Sequence, residues 1–242
     1  LSYPNLFHNL KAAIKDACSG KDNQNLNIYY EDTKISPKEM LEIIKNKEFS
    51  RFPENMAGAA REAYETLLHT GDGQLCDVII DRAALDAIYA AGEAAKDSII
   101  KEYAESVVAI ADIKIAVRSQ KTAKTIEFMK RAMAPCKSIN VDQLAKAAAA
   151  GMEAVTEYLS GTAYAEGGQA IAESSSAFER WCDNRMMQAM QPQKYESFSV
   201  GPLVAYVLAR ENEIKTVRII LSGKQNGFSE ESIRERVREM YV

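Results

Sequence analysis

The chain has 242 residues, of which 47% are hydrophobic and 26% charged, so it can bury a sizeable core without disulfide or metal staples. Its 30 Lys and Arg stand against 34 Asp and Glu, a formal charge of −4, which leaves no basic excess to neutralise phosphates and argues against nucleic acid as a partner. No run approaches the ~20 apolar residues that span a bilayer, so no direct membrane span is expected.

Helical signals dominate from one end to the other. The clearest start is Ser36-Pro37-Lys38-Glu39, where the serine caps, the proline suits a first turn and Glu39 completes a capping box; a helix over 37–47 follows. After Pro53, the residues Met56, Ala60, Ala63, Tyr64, Leu67 and Leu68 recur three or four apart and stop at Gly71-Asp72-Gly73, which predicts a second helix. The run over 77–119 carries a stripe of Ile99, Ile100, Tyr103, Val107, Ala111 and Ile115, with a break near Gly92 or Asp97, and reads as two helices. Further helices are predicted over 122–134, ending before Pro135, and from Asn140, which caps a helix running towards Gly151. A short continuation over 152–159 precedes a single helix over 169–189. An apolar helix over 202–222 is closed by Gly223, and a last one over 230–240 is capped by Ser229. Only Leu26, Ile28 and Tyr30 alternate as a strand would; without a partner strand they read better as extended loop.

Three short segments recur: Asn9-Leu10-Lys11, Asp112-Ile113-Lys114 and Glu213-Ile214-Lys215, spaced 103 residues from 9 to 112 and 101 from 112 to 213. An acidic-Arg pair precedes two of them, Asp81-Arg82 by 31 residues and Glu179-Arg180 by 34. The period is far longer than the roughly 20–50 residues of a solenoid repeat, so each unit should be a small helical bundle. The expected organisation is one continuous all-α domain. It divides into 1–16 as the end of a first helical repeat, 17–121 as a second and 122–242 as a third. Arg82 is expected to pair with Asp112 and Arg180 with Glu213, because a half-buried guanidinium needs a hydrogen-bonded partner.

No constellation for chemistry emerges. A Walker loop needs Ser or Thr after its Gly-Lys, but Gly223-Lys224 is followed by Gln225 and Gly20-Lys21 by Asp22. Two histidines, His8 and His69, cannot build a histidine-rich metal site and read as polar surface or cap residues. Cys18, Cys76, Cys136 and Cys182 stand singly, without zinc or redox spacing, and read as reduced core thiols of a cytosolic protein. Trp181 reads as core, and Met186, Met187 and Met190 as gap fillers. Catalytic, cofactor-binding and metal residues are therefore assigned to none.

The residues Phe7-His8-Asn9-Leu10-Lys11, Ile80-Asp81-Arg82, Ala111-Asp112-Ile113-Lys114 with Val117-Arg118, and above all Gly201 to Tyr206, Glu211 to Lys215, Arg218 to Leu221 and Gly223-Lys224, are similar to the C subunits of V-type ATP synthases, a family whose eukaryotic counterpart is the V-ATPase d subunit. The resemblance implies helical bundles arranged with pseudo-threefold symmetry as a funnel. It also implies a non-catalytic central-stalk role on the cytoplasmic face of the membrane, with the central rotor shaft and the membrane proteolipid ring as partners. ATP hydrolysis and ion passage would then lie in other subunits, and the isolated chain should neither hydrolyse nor tightly bind ATP. Against that family and a repeat period near one hundred, an N-terminal stretch of about 80 residues is expected ahead of Leu1, leaving the first repeat incomplete. The competing reading is a generic all-helical scaffold or adaptor; an all-helical enzyme lacks a clustered motif to support it.

Overall fold

A computed structural model describes residues 1–19, 28–196 and 198–240. Leu26, Gly20-Lys21 and Tyr241 lie outside them; Ile28 and Tyr30 are in no strand, and none is formed among the described residues.

Side-chain caps set the helix starts. After α1 (Tyr3–Ser19), α2 (Pro37–Lys45) begins beneath Ser36, whose hydroxyl accepts the Glu39 N–H at 3.3 Å. α3 (Glu54–Thr70) ends on Gly71, left-handed at φ 68°, and Asp72 at once caps α4 (Gly73–Ala94) by accepting the Leu75 N–H at 2.9 Å. Ala95, Lys96 and Asp97 separate α4 from α5 (Ser98–Lys121), close to the expected break. Thr125 starts α6 (Ile126–Ala132) and Asn140 starts α7 (Val141–Ala150), each side chain accepting the N–H three residues on. α8 (Met152–Ser160) follows Gly151 directly.

Four expectations need correction. Residues 122–125 are a turn rather than helix, since Ala123 takes a positive φ of 51°. The stretch 169–189 is two helices, α9 (Ala165–Glu173) and α10 (Ser175–Met190), because Ser174 is extended and its hydroxyl caps α10 through the Ala177 N–H. α11 (Gly201–Gln225) passes through Gly223 without stopping. That glycine is a contact position: a Cβ there would lie 2.7 Å from Ile233 Cγ1, so its bare face lets α12 (Glu230–Arg234) sit on α11. Lastly, α12 ends at Arg234 with a closing turn over 235–236, and residues 237–239 leave it, held by side chains of α10 and α11 described below.

Gly223→Val is accordingly expected to destabilise by about 1–3 kcal/mol through overpacking. The loss should be local: hydrogen exchange by mass spectrometry should show faster exchange over 229–238 while α1 to α4 keep their protection.

Two main cores result. α1 to α4 enclose the first, with Phe7, Leu10, Ile14, Met40, Ile44, Met56 and Ile80 buried in it. α5 packs against α4 and then enters the second with α6 to α10, around Ile113, Met129, Met133, Leu144, Val155, Leu159 and Phe178. Trp181 lies on that core, stacked on Phe178 at 6.1 Å and edge-on to Tyr164, above Gly167, where a Cβ would meet its ring at 2.6 Å. A thin third cluster joins Ile99 of α5 and Met187 and Met190 of α10 to Val204, Ala205, Leu208 and Ala209 of α11.

Candidate functional site

The repeated tripeptides all lie on long helices, α1, α5 and α11, and their lysines make interhelical contacts. Lys11 Nζ is 2.6 Å from Asp81 of α4, and Lys114 Nζ is 3.1 Å from Glu179 of α10. The acid contacted is in both cases the first residue of an acidic-Arg pair. Burial pushes the Glu179 pKa up, but Lys114 and Arg118 outweigh it and hold the carboxyl below its ordinary value. Lys215 departs from this pattern and reaches Asp183 at 2.8 Å, four residues beyond Glu179.

The arginines do not make the expected pairs. Arg82 bonds Asp86 of its own helix at 2.9 Å and donates to the carbonyls of Lys130 and Met133; Asp112 instead accepts the Ala134 N–H at 2.9 Å. Arg180 donates to the Glu235 carbonyl at 2.5 Å, while Glu213 is taken by Arg210. Both guanidiniums thus serve carbonyls of a last helical turn or just past it, at the ends of α6 and α12, where carbonyls without an intrahelical partner need donors. Sequence spacing can bring the right helices together, but nothing in it shows that a carbonyl is the acceptor.

A clasp missed by sequence reasoning fastens the C-terminal segment. Arg238 Nε meets Asp183 Oδ2 at 2.7 Å, Asn184 Oδ1 accepts the Glu239 N–H at 3.0 Å, and Asn212 Nδ2 donates to the Glu239 carbonyl at 2.7 Å. Asn184 and Asn212 are buried polar residues on helices that otherwise show apolar stripes, the one signal that could have found them.

The surface feature that stands out is a face of α11. Leu203, Tyr206, Ile214, Val217 and Leu221 follow one another three to eight residues apart along one stripe, each half exposed or more. The tripeptide register gives this a measure: the central residues Leu10 and Ile113 are 0% exposed, whereas Ile214 is 50% exposed. Three residues further on, Ala13 and Ala116 are buried, whereas Val217 is bare. In α1 and α5 this face is covered by helices that follow; α11 is adjoined by α5, α10, α12 and the Gln191–Tyr195 segment, and its stripe stays exposed.

No group of three or more His, Cys, Asp or Glu that could hold a metal occurs among the described residues, and no helix is long and apolar enough to cross a membrane. His8 Nε2 meets the Ile28 carbonyl at 2.9 Å, and His69 is exposed near the end of α3. Cys76 and Cys182 are buried, Cys18 and Cys136 half-buried; burial pushes the Cys182 thiol up to about 12 and those of Cys76 and Cys136 to about 11, the opposite of a nucleophile.

Residues 1–236 match the ATP synthase (C/AC39) subunit family. The chain belongs to that family. It is 27% identical over 239 residues to the C subunit of the V-type sodium ATPase of Enterococcus hirae, covering 97% of this chain and 72% of that one. It is 24% identical over 151 residues to the C subunit of the A-type ATP synthase of Methanocaldococcus jannaschii, covering 59% of this chain and 38% of that one. No solved structure matches the chain significantly. The family is a non-catalytic subunit of V-type and A-type ATPases, in which catalysis lies in other subunits.

Proposed function

We propose that the chain is the central-stalk coupling subunit of a rotary V-type ATPase or ATP synthase. It would join the rotor shaft to the membrane proteolipid ring on the cytoplasmic face, so that torque links ATP hydrolysis or synthesis to proton or sodium transport. The observation that carries this reading is the family match along almost the whole chain. A torque-bearing part must keep its bundles in fixed relation, and the lysine ties from α1 to α4 and from α5 to α10, with the clasp on 235–239, suit that demand.

The division 1–16, 17–121 and 122–242 into three related units is part of the same proposal. One pair of caps supports it: Ser36 and Asn140, 104 residues apart and at matching places in the second and third units, cap α2 and α7. The bare face of α11 fits a helical unit of the kind that covers α1 and α5 in the same register, as a pseudo-threefold funnel would require. The test is co-purification of the tagged chain with the shaft subunits and with the proteolipid ring in mild detergent. Retention of both is expected; retention of neither would favour a generic scaffold and overturn the proposal.

A further inference from the structure

Asp112 lies in the middle of α5, wholly buried, and only one of its oxygens is used. Oδ1 accepts the Ala134 N–H at 2.9 Å, whereas Oδ2 is buried without a partner among the described residues. The same repeat position in α1 is filled by Asn9, whose amide uses both ends: Oδ1 accepts the Tyr30 N–H at 2.9 Å, and Nδ2 donates to the Tyr30 carbonyl at 2.7 Å and to Thr33 Oγ1 at 3.0 Å. A carboxylate has no donor to offer in place of that amide N–H, but a neutral carboxyl has one. The contrast concerns protonation rather than shape, since the two side chains are nearly isosteric.

The charged surroundings offer little to an anion. From α4, Arg82 is committed to Asp86 and to the carbonyls of Lys130 and Met133, and forms no ion pair with Asp112; Asp86 beside it is a like charge. Glu105 of α5 is another, held by Ser138 and the N–H groups of Lys137 and Ser138. The cations of α6 point elsewhere, Lys130 to Asp142 and Arg131 to Glu62, and Lys114 of α5 is held by Glu179 of α10. α7 and α8 turn Leu144, Ala145, Ala148, Val155 and Leu159 to this core. An ionised Asp112 would therefore be a buried, weakly compensated charge.

We propose that Asp112 is a buried protonation switch: as a neutral acid it sits without cost where α4, α5 and α6 meet, holding the Ala134 N–H, and on losing its proton it becomes an uncompensated buried charge that favours opening of that junction to water. Burial pushes its pKa up to about 7; the Ala134 N–H and Arg82 oppose the rise, while Asp86 and Glu105 add to it. The direction follows by linkage. Below the unfolded value of about 3.9 the carboxyl is neutral in both states and has no effect. As pH rises from there towards 7, the unfolded chain releases the proton while the folded one retains it, so stability falls; above 7 the penalty is constant.

The experiment compares the full chain with Asp112→Asn from about pH 5 to pH 9, reading melting temperature and the exchange of the Ala134 amide, corrected for its intrinsic pH dependence. The Asn variant should melt higher than wild type at pH 8, with the gap shrinking on acidification, and its Ala134 amide should exchange about tenfold more slowly there. An unchanged gap between the two proteins across the pH range would overturn the switch. A 13C NMR titration of the wild-type Asp112 carboxyl keeps the idea testable even if the variant misfolds: a midpoint within about one unit of 7 supports it, and one below about 5 refutes it.

Discussion

Asp183→Ala should lower the unfolding free energy by about 3–5 kcal/mol, the range for removing one partner of a buried ion pair. Asp183 and Arg238 keep only 14% and 9% of their side chains exposed and meet at 2.7 Å, so truncating the acid strands a buried guanidinium. Lys215, the second cation on Asp183, is half exposed and adds little by itself. The cost should therefore depend on Arg238. In urea unfolding, adding Arg238→Met to Asp183→Ala should recover most of the loss, because it removes the stranded charge. If the double variant were as unstable as the single one or worse, the ion-pair explanation would be wrong. A pH effect accompanies it. Burial raises the Asp183 pKa, but Lys215 and Arg238 outweigh it and leave the carboxyl below its ordinary value. A depressed pKa stabilises above the unfolded value near 3.9 and the contribution is lost as pH falls through the folded value, so the difference between wild type and Asp183→Ala should narrow in acid.

Ile113→Ala should cost about 2–5 kcal/mol, whereas Ile214→Ala, at the same place in the repeated tripeptide, should stay within about 0.5 kcal/mol. The chemistry of the two substitutions is identical. Only the surroundings differ: Ile113 is 0% exposed in the second core, and Ile214 stands on the bare stripe of α11. Parallel denaturant titrations of the isolated chain measure the difference directly. Equal losses would mean that α11 is covered in solution.

Most of the helical order was legible because it is written in local chemistry. Ser36, Asn140 and Ser229 each accept the N–H three residues on, and Gly71 takes the left-handed turn that ends α3. Ser174 misled the reading of α9 and α10 because a serine inside an apolar pattern caps a helix only when the preceding residue turns away, which spacing does not show. Gly223 has the residue type of a helix stop, yet its role is set by Ile233, ten residues on and across a turn. The acidic-Arg pairs marked the right helices for contact, Asp81 on α4 and Glu179 on α10, while the arginines found carbonyls that are free acceptors only because α6 and α12 end where they do. Nothing in the sequence separates Ile113 from Ile214. Burial of the one and exposure of the other depend on which helices arrive beside them, which is a property of the assembled units.

The coupling role is open to a decisive test by electron cryo-microscopy of the complex purified through this chain. Density for its helices is expected between the tip of the rotor shaft and the cytoplasmic loops of the proteolipid ring, turning with the rotor among the rotational states. Density for the chain on the stator, or beside the catalytic head and away from the ring, would rule that role out.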